Sequence, residues 1–114
     1  MHLTHNILLG LLAVIFVASG AFKLSGNEKG LAGTRDVNVG DRFARIIGAI
    51  EVLGAVGLLV ALRYPDSLLG WSAILMLWLV MGGAVYAHSK ANKMKTAYPA
   101  ITLLVLLSIV LVIA

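Results

Sequence analysis

One carboxylate stands in the middle of an apolar run, Arg45-Ile-Ile-Gly-Ala-Ile-Glu51-Val-Leu-Gly54-Ala-Val-Gly57-Leu58. A chargeable group at bilayer depth costs on the order of a few kcal/mol, so it is kept for a partner or for a task. Its chemistry depends on what reaches it. Facing a cation, Glu51 forms an ion pair that clasps helices or orients a ligand; with no cation near, desolvation favours the neutral acid, a proton carrier or hydrogen-bond donor. Three further ionisable residues, Lys23, Arg45 and His88, lie in or just beneath the same apolar layer.

The elements that position these groups follow from composition. The chain has 114 residues, 61% of them hydrophobic and 12% charged, where soluble domains carry about 25% charge. This predicts an all-α integral membrane four-helix bundle, a single membrane domain over residues 1–114 with spans at about 6–24, 42–62, 68–88 and 98–114. The absence of cysteine rules out disulfides, thiolate catalysis and cysteine-ligated metals. Met1 to His5 holds no Lys or Arg, so the first apolar run is expected to be a permanent span rather than a cleaved leader. The net charge of +4 could suit nucleic acid, but in a membrane protein the placement of the cations matters more, and no nucleic-acid partner is expected.

Along the chain, Ser25-Gly26-Asn27 ends the first span and a polar, glycine-punctuated loop runs from Glu28 to Gly40. It is longer than most helix connections, which makes it a candidate lid or binding loop. Asp41 is placed to cap the second span, and Tyr64-Pro65-Asp66 forms the next turn. Trp71 begins the third span and Trp78 lies deeper in it; a basic loop, Ser89 to Lys95, leads to Tyr98-Pro99 at the start of the fourth. The last helix, polar only at Thr102 and Ser108 beyond Ala100, reads as packing and lipid contact.

Lys23, Lys29, Arg35, Arg42 and Arg45 surround the first loop and Lys90, Lys93 and Lys95 occupy the third, against Arg63 alone on the other side. The positive-inside rule puts the first and third loops in the cytoplasm and both termini outside, in a bacterial-type plasma membrane. In a helix each Cα–Cβ bond tilts toward the N-terminus. Lys23 and His88 therefore lean into the membrane toward Glu51, whereas Arg42 and Arg45 are set to snorkel toward phosphates. Glu51 lies about 13 Å beyond Arg42 by helical rise, while Lys23 is one turn from its helix end. A lysine stem covers part of that gap, and all of it if the first helix continues past Gly26.

Ala44, Gly48, Glu51 and Ala55 share one helix face, as do Phe16, Ser19, Gly20 and Lys23 on the first helix, and Met81, Ala84 and His88 on the third. The expected result is an interior pocket, polar at its cytoplasmic mouth, with Lys23, Glu51, Trp78, His88, Gly48 and Ser19 as candidate ligand-binding residues. Each has a plainer reading. Glu51 and Lys23 could be a packing clasp or a snorkelling anchor, His88 a headgroup contact, and Trp78 core. No catalytic residue is assigned. No metal site is expected, since His2 and His5 on a terminal turn are weak ligands by themselves.

Phe16-x-x-Ser19-Gly20-x-x-Lys23-Leu24-x-Gly26, Arg45-x-x-Gly48-x-x-Glu51-x-x-Gly54-x-x-Gly57-Leu58 and Gly82-Gly83-Ala84-x-x-x-His88 resemble the DoxX and DoxX-like family of small four-helix membrane proteins, over nearly the whole chain. The resemblance implies a four-helix bundle and an association with membrane redox chemistry, since members are linked to quinone-reducing thiosulfate oxidation and to oxidoreductase complexes handling thiol or superoxide stress; other relatives act as assembly chaperones. The positions matching its pattern are Lys23, Glu51 and His88. The leading expectation is an accessory membrane subunit, not an autonomous enzyme, that binds a quinone or another amphipathic molecule and serves a soluble or membrane oxidoreductase partner, with a homo-oligomer open. The alternatives are a small proton-coupled transporter, although the small multidrug resistance transporters carry their essential carboxylate on the first helix, and a scaffold or assembly factor whose polar interior only holds the bundle together.

Overall fold

The computed structural model describes residues 2–64, 66–93 and 97–113, the side chains of residues 2, 29 and 36 excepted. Five helices follow one another: α1 (His2–Leu24), α2 (Glu28–Asp36), α3 (Asp41–Arg63), α4 (Leu68–Lys90) and α5 (Tyr98–Ile113). Three of them, α1, α3 and α4, are long and apolar enough to cross a membrane. The sixteen residues of α5 rise about 24 Å, less than the ~30 Å of a hydrocarbon core. The four long helices form a square in which α1 touches α3 and α5, α4 touches α3 and α5, and the diagonal pairs do not meet among the described residues. The chain is a membrane helical bundle, as its composition predicts.

The long helices start and stop for local reasons. Gly26 takes φ of 76°, the left-handed conformation that closes a helix at little cost only for glycine. The Gly26 and Asn27 amides donate back to Lys23 and Phe22 carbonyls, completing the end of α1. Ser67 caps α4, its Oγ accepting from the Gly70 amide at 3.1 Å. Pro65 and Lys95, expected in the second and third connections, lie outside the described residues.

Two expectations are corrected here. The first loop is largely helical: α2 forms despite Gly30 and Gly33 because Leu31, and Val37 just beyond its end, are buried against the bundle. Asp41 does not cap α3, whose N-cap is Gly40 with no side-chain bond. Its carboxylate is instead taken by Arg35, which donates to both Asp41 oxygens at 2.8 and 2.6 Å and to Glu28 at 2.7 Å. The bonds from Asp41 first, then Glu28, hold the Arg35 guanidinium above its already high ordinary range, so it stays charged. The exposed clasp ties α2 to the start of α3.

Close approach of backbones sets the architecture. A Cβ on Gly20 would lie 2.6 Å from the Gly48 carbonyl oxygen, and one on Gly48 2.7 Å from the Gly20 oxygen. The α1–α3 crossing therefore has no room for a side chain at either position, the small-residue packing typical of membrane helices. On an adjoining face of α3, Gly54 meets Leu77, Gly57 meets Ala73, and Ala61 meets Gly70 of α4. The apolar core fills the half of the bundle nearer the chain termini, with Leu9, Leu12 and Phe16 of α1, Leu58 of α3, Leu77 of α4 and Leu107 of α5 fully buried. Overpacking a tight interior costs about 1–3 kcal/mol and more when backbone must move. Gly48→Leu is thus expected to lower the thermal midpoint in mild detergent sharply, whereas Gly82→Ala, whose added Cβ meets nothing within 4 Å, should leave it unchanged or slightly raised; circular dichroism melts compare the two.

Candidate functional site

Beyond the Gly54 and Gly57 contacts, toward the α1–α3 and α4–α5 connections, the helices surround a cavity of about 460 Å³, within the size range of small-molecule sites. Ser19 and Lys23 of α1 and Glu51 of α3 form its polar floor, and His88 of α4 joins the lining. Glu51 is 1% exposed and is the buried charged residue of the bundle among those described. Lys23 Nζ donates to Glu51 Oε1 at 2.5 Å and to Ser19 Oγ at 3.1 Å. The Lys23 side chain remains 19% exposed. An ammonium has three N–H donors, so these two bonds leave one of them uncommitted.

The pair forms although α1 ends at Leu24 and does not continue past Gly26. Two features close the gap. The glycine crossing draws α1 against α3 at this level, with Lys23 Cβ only 2.8 Å from where a Gly48 Cβ would stand. In addition α3 starts beyond the end of α1, since Arg45, one turn into α3, reaches Leu24: its Nε donates to the Leu24 carbonyl at 3.1 Å. Arg45, itself exposed, thus also caps α1, because the last carbonyls of a helix lack intrahelical donors. Lys23 leans back along α1 to Ser19, as the Cβ tilt predicts.

His88 pairs its Nδ1 with the Ala84 carbonyl at 2.8 Å. A carbonyl only accepts, so Nδ1 carries the proton and the other ring nitrogen, Nε2, is the one free of the helix backbone. In the neutral ring Nε2 is an acceptor, complementary in kind to the Lys23 donor.

The remaining wall is apolar but for Thr34. Ile47, Ile50 and Phe43 come from α3, Val80, Met81 and Ala84 from α4, and Val37 and Val39 from the segment after α2. The stretch expected as a lid or binding loop is thus a helix and its exit, and Thr34, Val37 and Val39 from it line the cavity. Pro99, Ala100 and Leu103 show that α5 supplies a wall, which its uniform apolarity concealed; no polar residue marked it. Trp78 and Gly48 are not brought to the cavity. Trp78 Nε1 donates to Ser108 Oγ at 2.8 Å, and Ser108 donates on to the Leu104 carbonyl. A buried indole N–H needs a partner, and the hydroxyl on α5 turns the ring away. Gly48 is spent at the helix crossing. No three His, Cys, Asp or Glu residues converge among those described, and the side chain of His2 lies outside them.

Truncating one member of a buried ion pair strands the other and costs about 3–5 kcal/mol, whereas apolar replacement of both is often neutral or better. Glu51→Leu alone should therefore destabilise strongly, and Lys23→Met with Glu51→Leu should recover most of the loss; thermal melts of the four variants of this cycle measure the coupling. If the pair is only a clasp, the recovered double variant keeps whatever activity the protein has.

No curated protein and no solved structure matches the chain. The sequence profile of the DoxX-like family does, over residues 7–110. That match takes in every long helix and all four residues of the polar floor and its histidine, Ser19, Lys23, Glu51 and His88, so the chain belongs to the DoxX-like family.

Proposed function

We propose that this membrane protein binds a quinone or a closely similar amphipathic molecule in the cavity and holds it for a partner oxidoreductase. The observation that carries the reading is the division of the cavity: an apolar space of about 460 Å³ with its charged groups gathered at Lys23 and Glu51 and a histidine on another helix. Such a space suits a molecule with an apolar body and a polar head. The spare Lys23 N–H is suited to a carbonyl oxygen on the head, and Glu51 holds the ammonium in place. The chain has no cysteine, so any thiol redox step belongs to the partner. The transporter reading loses support, because Glu51 has a cation beside it rather than standing alone as a proton carrier. The scaffold reading gives no account of a lined cavity.

Lipid extracts of the purified protein, analysed by mass spectrometry, are expected to be enriched in quinone over the surrounding membrane, and Glu51→Gln should lose the enrichment. Equal quinone content in both preparations would overturn the reading.

The cation bias supports a cytoplasmic position for the end of the bundle carrying the cavity. Because the chain is free of cysteine, single reporters can test this. Asp66→Cys should react with an impermeant maleimide added to intact cells, and Asn92→Cys should react only after permeabilisation.

A further inference from the structure

The cavity has a side as well as a floor. On α3, the residues that pack against α4 recur at spacings of three and four, Ala61, Gly57 and Gly54, and the same stripe continues as Ile50, Ile47 and Phe43. On α4, the stripe that meets them, Ala73 and Leu77, continues as Val80, Ala84 and Ala87, with Gly83 on its outer edge. Register alone would have these continuations pack against each other. Instead, all of them line the cavity. Phe43 is 60% exposed, Gly83 is exposed, and Ile47, Ile50, Val80, Ala84 and Ala87 are only partly buried. A Cβ placed on Gly83 would meet nothing within 4 Å. The two helices are sealed where small residues let them touch, and beyond Gly54 and Leu77 residues of both line the cavity.

Resting on the cavity being a ligand site, we propose that it is loaded from the side: a membrane-dissolved, tailed ligand enters between α3 and α4, past Phe43 and Gly83, with its polar head toward Lys23 and its tail left in the gap. The rim is apolar and lies on helices whose outer surfaces are hydrophobic, with Ile46, Leu53 and Val56 of α3 and Leu75 and Leu79 of α4 exposed. A tail in this gap stays in a lipid-like environment throughout, and only the head exchanges lipid for the charged floor. The ligand class is therefore a lipid-soluble molecule with one hydrogen-bonding head and an alkyl or isoprenoid tail. Gly83 is the specificity-determining position, because the absence of a side chain there leaves the passage for the tail.

The test compares two probes on protein in nanodiscs, a decyl-tailed benzoquinone and its tail-less analogue, each followed by quenching of tryptophan fluorescence; Trp78 lies one turn from Met81 of the cavity wall. Wild type should bind the tailed compound. Gly83→Leu should weaken that binding by about tenfold or more while leaving the tail-less compound nearly unaffected, and Gly82→Leu, also in open space but away from the cavity, should bind both as wild type does. Unchanged affinity of Gly83→Leu for the tailed compound, or equal losses for both compounds, would overturn side entry while leaving the quinone reading intact. Failure of wild type to bind either compound would overturn both.

Discussion

The structure depends on one interaction, the ion pair between Lys23 and Glu51 inside an apolar bundle. Glu51 is almost wholly buried and Lys23 only partly exposed, so burial favours holding each charge within hydrogen-bonding distance of the other. That pairing constrains the backbone. α1 and α3 must come close enough for a lysine stem to span the interval, and the glycines at 20 and 48 supply the approach because neither could carry a Cβ. Arg45 then reaches the open end of α1, and the Arg35 clasp holds α2 over the junction. The polar network and the glycine crossing are one device seen from two sides.

The same economy of small residues divides the bundle into a sealed half and an open half. Where Gly54, Gly57 and Gly70 stand, α3 and α4 close on each other and the core of Leu9, Leu12, Phe16, Leu58 and Leu77 excludes space. Where the stripe changes to Ile50, Ile47 and Phe43 the side chains are larger, and between the helices lies the cavity with the ion pair at its floor. A buried apolar core in one half and a chamber in the other follow from the residues at one set of register positions along α3. A chamber with a charged floor and apolar walls is the arrangement from which the ligand reading starts.

Much of this was legible from residue types. Apolar length and a low charged fraction point to the membrane bundle, since only helices and closed barrels satisfy their backbone in lipid, and long unbroken apolar runs suit helices rather than alternating barrel strands. Glu51 is conspicuous because carboxylates are expensive in such a helix, and the Cβ tilt points both Lys23 and His88 toward it without choosing between them. The family pattern in the glycines pointed to the same positions. Less legible was α2, where two glycines and many polar residues concealed a helix that gains its stability from burying Leu31 rather than from intrinsic propensity. Trp78 was assigned to the pocket on depth alone, and a hydroxyl on α5 with no neighbour in sequence turned it elsewhere.

The sequence by itself thus determined the class of fold and the buried carboxylate, with Lys23 and His88 as its candidate partners, because hydrophobic periodicity and the cost of burying charge are local properties of a helix. Tertiary structure alone decided the stagger between α1 and α3, which lets Lys23 reach Glu51 without a longer helix. It likewise decided the role of Arg45 as a cap, the wall contributed by α5, and the cavity lined by both α3 and α4. Each of these depends on where one helix ends relative to another, and relative displacement between helices is set by side chains meeting across the bundle, which no single stretch of chain encodes.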